Sequence, residues 1–128
     1  MKRRTHKPKT SVENWTVSQV GCPDCAGVLK LTRDGRHGHH RYKCYVGHRF
    51  STQSLLKAKE AQLEIALWST LVLLAHIEMV CSNLIRERQS ARASHTKPLQ
   101  LRIREARVHE HKIRTVIEST HVCHVEEA

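Results

Sequence analysis

Apolar side chains recur at helical spacing through the second half of this chain. No Gly or Pro occurs between Ser51 and Pro98, and residues 51–54 supply the side-chain oxygens that cap a helix. Two parallel heptad series run through this segment: Leu56, Leu63, Thr70, Ile77 and Leu84, and beside them Leu67, Leu74 and Cys81. Together they form a broad apolar stripe, which predicts a helix from about Thr52 to Gln89.

A second amphipathic stripe begins after Pro98. Its members are Leu99, Ile103, Ala106, Ile113 and Ile117. Residues 90–98 interrupt the pattern and predict the connection between the two helices. Two long helices joined by a short connection are typical of an antiparallel αα-hairpin, here over residues 52–119.

The first half of the chain has short strand patterns separated by turn residues. Val28–Arg33 and His40–Tyr45 each predict a strand, with Asp34-Gly35 as the turn between them. Asn14–Ser18 predicts either a short strand or an extended lead-in. The expected fold class is therefore α+β and mostly α, with a small β-hairpin followed by a long antiparallel αα-hairpin.

Four candidate metal ligands lie within the β-hairpin region. Cys22 and Cys25 are separated by two residues, and Cys44 and His48 by three, with eighteen residues between the pairs. Two pairs of thiolate and imidazole ligands, each within a tight turn, are the arrangement that tetrahedral zinc requires. The spacing predicts one structural Zn²⁺ in a zinc ribbon, because four protein ligands leave no position for a substrate. The alternative is a set of unrelated buried thiols.

Other histidines and cysteines have weaker patterns. His37, His39 and His40 predict a solvated turn, with a second metal site as the alternative. The C-terminal group His121, Cys123 and His124 does not have standard ligand spacing, and chain ends are often disordered. Cys81 lies on the apolar stripe and is expected to be a small core residue.

Sequence signatures of common enzyme classes are absent. The chain contains no G-x-S-x-G, G-x-x-x-x-G-K-[ST], G-x-G-x-x-G or H-E-x-x-H motif. Catalysis by a Cys or His would need a residue free of metal in a cleft that so small a chain can hardly build. The chain is expected to be a non-enzyme.

The composition indicates a basic protein. The 128 residues carry 22 Lys and Arg against 12 Asp and Glu, a net charge of +10. The excess lies in residues 1–10 and 86–118, and makes polyanions and acidic protein surfaces plausible partners. No signal peptide is recognised, and the apolar run Ala66–Ile77 is too short to span a bilayer, so a cytoplasmic protein without membrane contact is expected.

These patterns divide the chain into four regions. Residues 1–12 are predicted to be a disordered basic tail, and residues 13–51 a zinc ribbon. Residues 52–120 are predicted to form the helical hairpin, and residues 121–128 a flexible tail.

The combined motifs resemble the accessory region at the C-terminal end of some bacterial chemotaxis-type protein-glutamate methylesterases. The similarity lies in the knuckles Cys22–Leu29 and Cys44–His48, the Ser-rich helix start Ser51–Leu56 and the Glu64–Trp68 segment. The stretch 102–117 is similar to the final helix of that region. The catalytic domain of these enzymes has no counterpart here, so the resemblance implies a regulatory module in chemotaxis-type signalling and not methylesterase activity.

Two functions follow as expectations. The first is a zinc-binding protein-interaction or regulatory module, whose hairpin docks on a protein partner or on a second copy of itself. Its basis is an apolar stripe wider than a two-helix hairpin needs. The alternative is a nucleic-acid-binding zinc ribbon that uses its basic surface, for which Tyr42, Tyr45 and Phe50 offer stacking rings.

Overall fold

The computed structural model describes residues 14–92 and 95–120, which form four strands followed by two helices. The strands are β1 (Thr16–Gly21), β2 (Val28–Arg33), β3 (His40–Cys44) and β4 (Arg49–Ser51), and the helices are α1 (Thr52–Ser90) and α2 (Lys97–Ser119). The fold class is α+β and mostly α, as the sequence predicts. The predicted tails 1–12 and 121–128 lie outside the described residues.

The strands form one antiparallel sheet in the order β1-β2-β3-β4. Strands β2 and β3 match the predicted pair and are joined in register from Leu29 opposite Cys44 to Arg33 opposite His40. The sheet is larger than the predicted hairpin, because β1 and β4 add a strand at each edge. Strand β4 has three residues, too few to give a recognisable alternation of apolar and polar positions.

The loop between β2 and β3 occupies the interval that the sequence predicts, but the chain reverses at Gly38 and not at Asp34-Gly35. The Asp34 amide donates to the His39 carbonyl at 2.8 Å, and the Gly38 amide donates to the Asp34 carbonyl at 2.9 Å. The left-handed conformation falls on Gly38, with φ of 67°. The loop is thus longer than a two-residue turn, and Gly38 adopts the left-handed conformation that reverses the chain direction.

A small core joins the sheet to the first turns of α1. Leu29 of β2 is fully buried, and Leu55 of α1 is 6% exposed. Cys22 and Cys44 complete this buried cluster, and the rings of Tyr42 and Phe50 pack against it. With so few aliphatic side chains, the core is too small to stabilise the sheet alone.

Helix α1 begins at a reciprocal cap between two serines. The Ser54 amide donates to Ser51 Oγ at 3.1 Å, and the Ser51 amide donates to Ser54 Oγ at 2.9 Å. This is the geometry of a capping box, with Ser in place of the usual acidic or amide side chain. The cap fixes the position at which the chain changes from β4 to helix.

The two helices pack along a set of positions that we call the hairpin seam. Its residues are Leu67, Leu71, Leu74, Glu78, Cys81 and Ile85 in α1, and Leu99, Ile103, Ala106, Glu110, Ile113 and Ile117 in α2; all are buried or half-buried. Both sets alternate steps of four and three residues, the spacing of coiled-coil packing. Because Glu78 pairs with Arg107 and the connection is short, the helices run antiparallel.

The other predicted heptad series of α1 is exposed. We call Leu63, Leu73, Ile77, Val80 and Leu84 the outer row; these side chains are between 37% and 60% exposed. Only the Leu67, Leu74 and Cys81 series packs against α2, and Leu63, Ile77 and Leu84 stay exposed, so the apolar stripe is wider than the two-helix hairpin needs, as the sequence predicts. One helix of ordinary diameter covers only one side of α1.

Helix α1 also meets the length and composition criteria of a membrane-crossing helix. An 18-residue window of its 39 residues has a mean hydropathy of 1.7 and is 11% buried. The run Ala66–Ile77 alone is too short to span a bilayer, but the helix continues in apolar residues beyond it. The absence of membrane contact therefore stays a prediction.

The described residues divide into two compact units. The first extends to Lys59 and contains the sheet and the start of α1, and the second begins at Glu60 and contains the hairpin.

Candidate metal centre

The four predicted ligands lie in two turns of the sheet. Cys22 and Cys25 belong to the turn between β1 and β2, and Cys44 and His48 to the turn between β3 and β4. In an antiparallel sheet with sequential strand order, the β1–β2 turn and the β3–β4 turn lie at the same end of the strands. The topology therefore brings together two pairs of ligands that lie far apart in sequence.

The first turn, which we call knuckle 1, is closed by backbone hydrogen bonds around Cys22. The Cys22 amide donates to the Gly27 carbonyl at 2.7 Å, and the Ala26 amide donates to the Cys22 carbonyl at 2.9 Å. Closing this turn requires a left-handed residue, and Ala26 has φ of 60°. A residue with a Cβ is strained in that conformation.

The second turn, knuckle 2, has a comparable pattern around Cys44. The Cys44 amide donates to the His48 carbonyl and the Gly47 amide to the Cys44 carbonyl, each at 3.1 Å. The left-handed position is Gly47, with φ of 110°, where a glycine carries no strain. The His48 amide also donates to Cys44 Sγ at 3.2 Å.

The ligand atoms of the four residues converge on one point. One ligand atom from each of Cys22, Cys25, Cys44 and His48 lies within 4.8 Å of the others. His48 turns Nδ1 into the cluster, 3.2 Å from Cys44 Sγ and 3.7 Å from Cys22 Sγ. A thiolate bound at about 2.3 Å and an imidazole nitrogen bound at about 2.0 Å in a tetrahedron lie about 3.5 Å apart, which is close to these separations. The cluster can hold a metal ion.

Local hydrogen bonds favour the thiolate form of Cys44, against the effect of burial. Burial raises its pKa, but the His48 and Gly47 amides and side-chain hydrogen bonds from Cys25 and His48 outweigh it and lower the pKa to about 6. The thiolate is the metal-binding form of cysteine. The backbone of knuckle 2 therefore prepares this ligand for a cation.

The pKa of Cys25 shifts in the opposite direction. The Gly27 amide lowers the pKa of this thiol, but desolvation and the hydrogen bonds with Cys22 and Cys44 together raise it. Opposite shifts in two neighbouring thiols are the result of several acids sharing one site. A cation in the cluster would relieve this competition, because it favours the thiolate form of every cysteine.

The other candidate ligands do not form a second cluster within residues 14–92 and 95–120. The His37 and His39 rings lie 5.9 Å apart, both exposed. His40 instead accepts a hydrogen bond at Nε2 from Arg33 Nε at 2.9 Å. Cys81 is buried in the hairpin seam, as predicted. His121, Cys123 and His124 lie outside the described residues.

The strained backbone at Ala26 is the feature of this site that the sequence pattern does not predict. Knuckle 1 needs a left-handed residue directly after Cys25, but the sequence has Gly one position later, at Gly27. A Cβ added at Gly27 would approach Cys25 Sγ to 3.3 Å. The glycine therefore leaves space for the Cys25 side chain, and the left-handed residue that closes the turn is Ala26. The sequence signal for this strain was the single residue between Cys25 and Gly27, which places Ala26 and not a glycine directly after the cysteine.

The similarity to the methylesterase accessory region stays a prediction. Comparisons of the chain with protein-family models, curated proteins and solved structures give no match. The case for a metal centre therefore depends on the geometry of the four ligands.

Proposed function

We propose that this chain is a non-catalytic, zinc-stabilised protein-interaction module. Its Cys22, Cys25, Cys44 and His48 side chains would hold one structural Zn²⁺. Three sulfur ligands and one imidazole favour zinc over the hard cations Mg²⁺ and Ca²⁺, which prefer oxygen. Four convergent protein ligands fill a tetrahedron, so the ion would stabilise the fold and would not activate water.

Elemental analysis of the purified chain tests the zinc assignment. One zinc per chain is expected, and Cys44→Ser should lose most of it. Cys81→Ser is the matched control, because Cys81 is equally buried but lies outside the cluster. Zinc-free protein after growth with zinc, or equal zinc content in both variants, would contradict the assignment.

The interaction surface of the proposed module is the outer row of α1. Leu73 and Val80 are 60% and 57% exposed and lie seven residues apart, on a side of α1 that does not pack against α2. A row of large apolar side chains on a folded domain is typical of a protein–protein interface. This exposed row is the observation that carries the interaction proposal.

The occupant that best fits the outer row is a second copy of this hairpin. From Leu73 to Leu84 the outer row repeats the alternation of three and four residues that the hairpin seam shows, as in bundles where each helix packs against two neighbours. Two hairpins related by a two-fold axis would place the outer rows against each other. Each copy would thereby cover the outer row of the other.

A bilayer is a poorer occupant of the same face. Helix α2 packs along α1 over the apolar segment, and its sequence includes Arg102, Arg104 and Glu105. The Glu78–Arg107 ion pair lies between the helices. Insertion of α1 into hydrocarbon would carry these charges with it or would dismantle the hairpin, and either outcome is costly.

Sedimentation equilibrium tests the self-association. The full chain should be a dimer at micromolar concentration, and Leu73→Glu with Val80→Glu should make it monomeric while far-UV circular dichroism still shows a helical hairpin. Val108→Glu on α2 is the matched control, since Val108 is 52% exposed and lies away from the seam. A monomer at every concentration, or equal dissociation by the control, would contradict the proposal.

The resemblance to methylesterase accessory regions gives this proposal a cellular setting, a cytoplasmic role in chemotaxis-type signalling. Only the sequence motifs support it. Direct binding of the purified chain to a chemotaxis-type methylesterase or receptor from the same genome tests it. No measurable binding to either protein would leave the module without this setting.

A further inference from the structure

A line of three cationic side chains crosses one face of the β-sheet. Lys30 of β2 lies opposite Lys43 of β3, and Lys43 lies opposite Arg49 of β4. Cross-strand partners project from the same face of a sheet, so these three side chains form a continuous line that we call the basic row. Lys30 and Arg49 are exposed, and Lys43 is half-buried.

The basic row has no acidic neighbours on the sheet. None of the four strands contains Asp or Glu. Within residues 15–59 the acids are Asp24, in knuckle 1, and Asp34, which pairs with Arg41 at 3.6 Å. Like charges directly opposite each other destabilise a sheet. An anionic ligand on this face would offset that repulsion.

Aromatic rings lie beside the basic row. Trp15, which precedes β1, and Tyr45, which follows β3, line a depression of about 200 Å³ together with Lys30 and Lys43. Tyr45 is 97% exposed, which is unusual for so large a ring. A second depression, of about 320 Å³, is lined by Trp15, Arg41, Tyr42, Arg49, Phe50 and Ser51.

We propose that this face of the sheet binds single-stranded nucleic acid, a function separate from the self-association of the hairpin. The basic row would contact the phosphates, and Trp15 and Tyr45 would stack on bases. Sites for single strands combine a cationic track with aromatic rings in this way. A duplex conceals the faces of its bases, and an acidic protein segment has no bases, so neither would use both parts of the surface.

A salt-dependent titration tests the phosphate contacts. The full chain, purified with zinc, is titrated into fluorescein-labelled oligothymidylate at several salt concentrations. Lys30→Gln with Lys43→Gln should weaken binding about tenfold and reduce the slope of log K against log[salt] by about 0.7 for each phosphate that is no longer neutralised. Arg102→Gln with Arg104→Gln, on α2, removes the same charge and should leave the slope unchanged.

Tryptophan fluorescence tests the stacking. The chain has 2 Trp, so a Trp68→Phe background leaves Trp15 as the sole reporter. Oligothymidylate should quench its emission and polyglutamate should not, and Tyr45→Ser should weaken binding at least about fivefold.

Four outcomes would overturn the nucleic-acid proposal. They are no binding at low salt, equal losses in the sheet and α2 variants, tighter binding to duplex or polyglutamate than to oligothymidylate, and unchanged Trp15 emission at saturation. A normal zinc content and circular dichroism spectrum in each variant ensure that the comparison is made between folded proteins.

Discussion

Arg107 of α2 donates two hydrogen bonds to the Glu78 carboxylate of α1, from Nε at 2.9 Å and from Nη2 at 2.5 Å, both to Oε1. Glu78 occupies a position of the hairpin seam where an apolar residue would otherwise lie. The guanidinium therefore satisfies a half-buried charge between the two helices. A single such pair also fixes the register of the hairpin, because a shift of either helix by one turn would separate it.

Stability of the hairpin should depend on pH through Glu78. The hydrogen bond and charge of Arg107 lower the pKa of Glu78 below its ordinary value of 4.5, against the opposing effect of burial. A carboxyl with a lowered folded-state pKa stabilises the fold above its unfolded pKa. That contribution is lost as the pH falls through the folded-state pKa.

Thermal melts from neutral pH to below pH 4.5 measure this dependence. Glu78→Gln should lower the melting temperature at neutral pH and flatten the acid loss of stability. Glu64→Gln, an exposed position of α1, should leave both unchanged. Identical acid profiles in the Glu78 variant and the unmodified chain would show that the pair does not contribute.

The left-handed residues of the two knuckles provide a second, paired prediction. Ala26→Gly should strengthen metal binding, because it removes a strain of about 1 kcal/mol from knuckle 1. Gly47→Ala should weaken it by a similar amount, since a Cβ there meets no atom within 4 Å and the cost is one of backbone conformation alone. Competition with a chromophoric chelator measures both changes.

The signs of these two effects are the critical result. Changes in opposite directions, each about fivefold in apparent affinity, are expected. A loss of affinity in Ala26→Gly would mean that flexibility of the free turn outweighs the relief of strain.

Removal of the metal should unfold the sheet and spare the helices. The core around Leu29 and Leu55 includes the thiols of Cys22 and Cys44, so the free energy of binding the proposed metal would be part of its folding free energy. Helices α1 and α2 contain 39 and 23 residues, and most of them lie beyond the sheet's core. Chelation should therefore abolish dispersed amide resonances of residues 16–51 but retain most helical circular dichroism. Simultaneous loss of both signals would contradict this prediction.

Local sequence spacing was sufficient to identify the possible metal-binding cluster but not the edge strands of the sheet. Cys22 with Cys25 and Cys44 with His48 each lie within one turn, so their pairing depends on a few neighbouring residues. Strand β4 depends on pairing with β3, a contact that its own three residues do not encode. The edge strands were therefore missed or displaced in the prediction, although the four residues of the cluster could be identified.

For the helices, the sequence predicts the packing face of α2 but not that of α1. Helix α2 has one apolar stripe, and all five of its predicted members, from Leu99 to Ile117, lie in the hairpin seam. Helix α1 is apolar on several sides, so two heptad series were equally suitable for packing against α2. The register selected by Glu78 and Arg107 decides between them, and this choice depends on a contact between residues 29 positions apart.

Two leucines of α1 that lie two positions apart should therefore respond differently to truncation. Leu71 is 5% exposed in the seam, whereas Leu73 is 60% exposed in the outer row. Leu71→Ala should destabilise the chain by about 2 to 5 kcal/mol at every protein concentration, because it leaves a cavity between α1 and α2. Leu73→Ala should cost little in dilute solution and more as the concentration rises, because its side chain is buried only in the proposed dimer. Urea denaturation at two protein concentrations separates these effects, and a loss for Leu73→Ala that is as large and as independent of concentration as that for Leu71→Ala would place Leu73 inside the monomer core.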